Sequence, residues 1–114
     1  MNIHSFDIIQ DKVVRDGKVA VLVSPGYGAG WYTWNQAHPE LLFLPRVVKM
    51  VLNGTSYSEI EAYVQSIYGE DELYVGGAVD LVVQWVPQGT KFRIDEYDGA
   101  ESLKTIDQED WITA

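Results

Sequence analysis

In this cysteine-free chain a nucleophile would have to be serine, threonine, lysine or a carboxylate, with histidine as a candidate base. Ser24 stands at a strand end before Pro25 and Gly26, but Ser-Pro-Gly-Tyr-Gly is not the Gly-x-Ser-x-Gly of a nucleophile elbow. His38 is a candidate base for it, and nothing in the spacing brings the two together. His4 and His38 are far apart and lack spaced partners, so no metal site is expected. The acidic run DEYDGAES from Asp95 lacks the alternating oxygen ligands of a calcium loop and reads as a solvated hairpin end. Glu70-Asp71-Glu72 reads as a solvated loop after a helix. Gly26-Tyr27-Gly28-Ala29-Gly30 follows a strand, but no Gly-Lys-Ser/Thr comes after it, and it fails as a phosphate loop. No catalytic residue and no cofactor are expected.

What stands out instead is GYGAGWYTWN, residues 26–35, with its three glycines and four aromatic rings. The glycines permit positive φ and close backbone approach. Tyr27, Trp31, Tyr32 and Trp34 supply large contact area with few torsions to freeze. Thr33 and Asn35 offer hydrogen bonds beside the rings, and Arg93 is a candidate cation for a small anionic ligand. The candidate ligand- or partner-binding set is therefore Tyr27, Trp31, Tyr32, Trp34, Asn35 and Arg93. The same residues also suit a packed corner, with indole N–H groups on carbonyls and glycines letting rings lie on the backbone.

The elements that must position this loop are legible in outline. Asp16-Gly17 lies between Val13-Val14-Arg15 and Lys18–Val23, a hairpin signal because both central residues of a type I′ turn need positive φ. The second of these strands is apolar on both faces and should be central in a sheet. Pro45 and Gly54 suit the start and end of a helix with Val47, Val48, Val51 and Leu52 on one stripe. Ser56 to Glu59 fits a capping box, and Ile60, Tyr63, Val64 and Ile67 form the apolar face of a second helix closed by Gly69. Asp80 to Val86 reads as a strand, Pro87 to Thr90 as a turn, Lys91 to Tyr97 as a strand and Asp98-Gly99 as another turn. Phe92 and Ile94 should point one way, Lys91, Arg93 and Asp95 the other. Glu101 to Ile106 would complete a three-stranded meander, and Trp111 and Ile112 suggest a docked tail. The order ββ-αα-βββ predicts an α+β fold: an antiparallel sheet with an αα-hairpin packed on one face.

Bulk properties frame these elements. A chain of 114 residues favours a single domain over 1–114 and a core that needs no metal or disulfide. The longest aliphatic run, Val19 to Val23, is too short to span a bilayer, and no secretory signal is visible; a soluble cytoplasmic protein is expected. The net charge of −9 disfavours direct nucleic-acid binding and fits either simple solubility or occupation of a basic partner.

SPGYGAGWYTWN, FRIDEYDGAESL and the ending DWITA resemble a group of small uncharacterised proteins of bacteriophages, prophages and bacterial genomes. The resemblance covers Val19 to Ala114. It implies a phage or mobile-element accessory protein, resident in the host cytoplasm, that acts by binding. Two readings follow. One is a binding module that sequesters a small nucleotide-like signal or inhibits a host protein. The other is an enzyme acting on an anionic substrate, with Asp95 or Glu96 as general base. A structural or homo-oligomerising protein is a third possibility.

Overall fold

The structure, a computed structural model, describes residues 7–9, 11–69 and 71–105, with the backbone alone at 7–9. His4, Glu70, Ile106, Trp111 and Ile112 lie outside the described residues. The fold is α+β, and the described residues form two α-helices and antiparallel strand pairs.

Three strands open the chain: β1 (Asp7–Ile9), β2 (Lys12–Arg15) and β3 (Lys18–Val23). Asp11, at φ 62°, stands between β1 and β2. Asp16 and Gly17 take φ values of 53° and 76°, the type I′ geometry expected of the hairpin. Helices α1 (Pro45–Leu52) and α2 (Tyr57–Tyr68) follow a short 3-10 turn, Pro39–Leu42. Pro45 occupies the first turn of α1, and Gly54, at φ 72°, follows its cap residue Asn53. Ser56 does precede α2, but its side chain caps nothing; its hydroxyl turns to Ser58 instead, so the expected capping box does not form. On α2 the buried stripe is Ile60 and Val64, and Ile67 lies outside it, half exposed.

The strands β4 (Val82–Pro87), β5 (Phe92–Tyr97) and β6 (Ala100–Thr105) do not form one meander. β4 pairs along its whole length with β3, completing a four-stranded sheet in the order β1-β2-β3-β4, while β5 and β6 form a separate hairpin. The physical reason is that β3 is apolar on both faces and needs two covers. Ala20 and Leu22 join Val47, Val48, Ile60 and Val64 on the helical side. Val21 and Val23 join Val86 and Leu42 on the other, where Phe92, Ile94 and Leu103 of the hairpin pack. The hairpin leaves the sheet at the Pro87–Thr90 turn, closed by the Thr90 N–H on the Pro87 carbonyl, and folds over that second face. The molecule is a three-layer stack: helices, sheet, hairpin.

The β5–β6 turn meets the glycine–aromatic loop. The Gly28 N–H donates to the Asp98 carbonyl at 3.0 Å. Gly99, at φ 82°, lies so close to the loop that a Cβ there would stand 2.5 Å from the Ala29 nitrogen. Replacing Gly99 with alanine adds left-handed strain to a backbone collision, so Gly99→Ala should cost about 2–4 kcal/mol of stability. Urea unfolding checks this; an unchanged midpoint would mean that the turn and loop are not in contact.

Candidate functional site

Residues 24–35 make no regular secondary structure, so their backbone groups need other partners. Glu101 supplies them. It lies on β6 in phase with Leu103, so it faces inward, and it is 3% exposed. One carboxylate oxygen accepts the Ser24 N–H at 2.9 Å. The other accepts the Trp31 N–H at 2.8 Å, the Thr33 N–H at 2.9 Å and the Thr33 hydroxyl at 2.7 Å. The Glu101 N–H returns to the Ser24 carbonyl at 2.8 Å. A buried carboxylate is tolerated only when hydrogen-bonded, and charge-assisted bonds of this kind are about twice as strong as neutral ones. The loop is thus wound around an anion supplied by its own chain.

The loop glycines serve this winding more through space than through torsion. Gly28 has a positive φ, 110°, whereas a Cβ on Gly30 would meet the Thr33 hydroxyl and the Trp34 ring.

The rings of the loop divide between core and surface. Trp31 is 1% exposed, with its indole N–H donating to the Leu41 carbonyl at 2.8 Å. Asn35 is buried and clamps a distant segment: its amide donates to the Trp31 and Tyr74 carbonyls, and its oxygen accepts the Tyr74 N–H. Tyr32 packs between the two hydrophobic clusters. Trp31 and Asn35, expected as contact residues, are therefore interior supports, because both their apolar surface and their polar atoms are satisfied within the fold.

Tyr27 and Trp34 remain outside, at 75% and 40% exposure. The Trp34 ring lies 4.8 Å from that of Tyr74, tilted by 55°, and its indole N–H donates to Glu96 at 3.1 Å. Glu96 also accepts the Gly99 N–H. Tyr74 and Tyr97 are exposed as well. The exposed rings taken together here are Tyr27, Trp34 and Tyr74, edged by Glu96 and Asp98; Tyr97 falls on the other face of β5, in phase with Arg93. Arg93 does not belong with Trp34. Strand alternation puts it on the outward face of β5, opposite to Glu96, and it donates to Asp95 at 2.9 Å.

Glu101 and Tyr74 were missed from sequence. The available signal for Glu101 was its register: a carboxylate two residues before Leu103, on the face that the apolar residues of the hairpin define.

A second polar cluster ties the 3-10 turn to the end of α2. The two ring nitrogens of His38 lie 3.2 Å from Glu40 and 3.4 Å from Glu72. The Tyr68 hydroxyl donates to Glu40 at 2.8 Å. The Ser24 hydroxyl is directed to the Ala29 carbonyl, so His38 and Ser24 are engaged separately and form no nucleophile–base pair. Asp95 and Glu96, the candidate bases of the enzymatic reading, are engaged by Arg93 and by Trp34 with Gly99 respectively. Among the described residues no cluster of histidine and carboxylates could hold a metal ion, and no helix is long and apolar enough to cross a membrane. No protein-family model, curated protein or solved structure matches the chain.

Two outcomes test this geometry. Glu101→Gln puts an amide N–H₂ against backbone donors and should destabilise the fold by about 2–4 kcal/mol, read by urea unfolding; a neutral effect would contradict the winding of the loop around a carboxylate. Glu40 provides the second. Slight burial opposes its charged form, but the Tyr68 hydroxyl, its own backbone N–H and His38 outweigh that and hold its carboxyl below the ordinary value of 4.5. A lowered folded-state value means that its contribution to stability is present above pH 4.5 and is lost as pH falls through the lower folded midpoint. Tyr68→Phe should raise the Glu40 midpoint in an NMR titration and flatten the acid limb of the stability curve; an unmoved midpoint would contradict the contact.

Proposed function

We propose that this chain is a binding protein whose loop face engages a positively charged surface of a partner protein. The observation that carries the reading is the Trp34–Tyr74 ring pair, half out of the surface yet held from beneath by Glu101 and Asn35. Exposed tryptophan and tyrosine are the residue types that dominate binding hot spots, and fixing them before contact lowers the entropy cost of association. The neighbouring Glu96 and Asp98, on a chain of net charge −9, supply the complementary field for a basic partner. The resemblance to small phage and prophage proteins implies that this partner is a host protein and that the role is accessory.

A small nucleotide-like ligand at this face is less well supported. Arg93, the cation chosen for it, lies on the outward side of β5 and is paired with Asp95.

Affinity capture from bacterial lysate at low and high salt tests the proposal. A basic-surfaced partner should be recovered at low salt and released as salt rises. Trp34→Ala and Tyr27→Ala, both at exposed rings, should weaken capture at least tenfold without a comparable loss of stability. Absence of any salt-sensitive partner, or a partner held equally by both variants, would overturn the reading.

A further inference from the structure

A different surface, between α1 and α2, carries the opposite chemistry. A cleft of about 560 Å³ is lined by Pro45, Arg46, Lys49, Met50, Asn53, Thr55 and Glu59. That size lies within the range of small-molecule sites, about 300–1,000 Å³, and exceeds what one inorganic anion fills.

Its lining is rich in donors that the fold leaves unused. Among the described residues neither Arg46 nor Lys49 forms an ion pair, and the side chains of Asn53 and Thr55 make no hydrogen bond. Arg46 lies 5.8 Å from the Tyr63 ring, a contact that leaves its guanidinium N–H groups available. It also stands in the first turn of α1, where the helix dipole disfavours a cation and no acidic residue offsets it. The backbone that presents these donors is fixed. The Asn53 N–H donates to Lys49, Gly54 to Val51 and Thr55 to Met50, so the connection between the helices is a closed turn. Arg46, Lys49, Asn53 and Thr55 thus line one open groove, together with the carboxylate of Glu59, on a chain that is otherwise strongly acidic.

We infer that the α1–α2 cleft binds a phosphorylated small molecule. Arg46 and Lys49 hold the phosphate, with the hydroxyl of Thr55 and the amide of Asn53 as further donors. Arginine suits the paired oxygens of a phosphate, and lysine adds a point charge. Pro45 and Met50 give the organic body an apolar wall, and Glu59 accepts a hydroxyl from it. This site is independent of the loop face, so the two readings can fail separately.

The test is a ¹H–¹⁵N NMR titration of the full chain at low salt with inorganic phosphate, adenosine monophosphate and adenosine. The monophosphate should shift the amides of residues 46–59 in a saturable way, and phosphate should shift a subset of them more weakly. Adenosine should leave them in place. The R46Q/K49Q double variant should bind the monophosphate at least tenfold more weakly with an unchanged melting temperature, and Lys49→Gln alone, at an exposed side chain, should show part of that loss. Trp34→Ala should bind it as the unmodified chain does. No shift with either phosphate compound, equal shifts with adenosine, or full binding by the double variant would overturn the inference.

Discussion

The carboxylate of Glu101 holds together parts of the chain that have no other reason to meet. It sits beneath a loop that makes no helix or strand, and three of the loop's backbone N–H groups and one hydroxyl end on it. Without that acceptor, the amides of Ser24, Trp31 and Thr33 would be left without their partner in the interior, at a cost of about 1–3 kcal/mol each. The requirement is mutual, since the buried charge is tolerable because those donors surround it. A glycine-rich loop after a strand is a familiar anion-binding arrangement, and here the anion belongs to the same chain.

The layered architecture explains why such a contact is possible. β3, apolar on both faces, forces helices onto one side and the β5–β6 hairpin onto the other. The hairpin that covers Val21 and Val23 brings Glu101 to the end of β3, where the loop begins. Its turn then touches the loop again through Gly28 and Asp98. Trp31 anchors the loop inward on Leu41, and Asn35 fastens Tyr74 to its outer end. The exposed rings are consequently side chains on a fixed base. That is the property a recognition surface needs, and it comes from polar contacts rather than from local secondary structure.

Much of the fold was legible from short-range chemistry. Asp16-Gly17 and Asp98-Gly99 marked their turns because two successive residues had to accept positive φ, and they do. Pro45, Gly54 and Gly69 bounded the helices, and the double apolar character of β3 announced a central strand. What stayed hidden depends on distant pairing. β4 joins β3 across the whole helical segment, and local turn signals had suggested β5 as its neighbour. The capping box at Ser56 was a correct boundary with the wrong contact, because a nearby serine competes for the hydroxyl. The site was half legible. Residue type identified the loop, but which ring faces inward is decided by Leu41 and Glu101, at sequence separations of 10 and 70 from Trp31. Arg93 was assigned the correct strand face, and only the position of Trp34 relative to Glu96 separates the two.

Amide hydrogen exchange measured residue by residue tests the central role of the carboxylate most directly. Trp31 and Thr33 lie outside any helix or strand, so ordinary loop amides in their place would exchange quickly. With both donating to Glu101, they should be protected to nearly the same degree as the amides of β3, while Tyr27 in the same loop exchanges freely. Exchange of Trp31 and Thr33 as fast as that of Tyr27 would contradict the account.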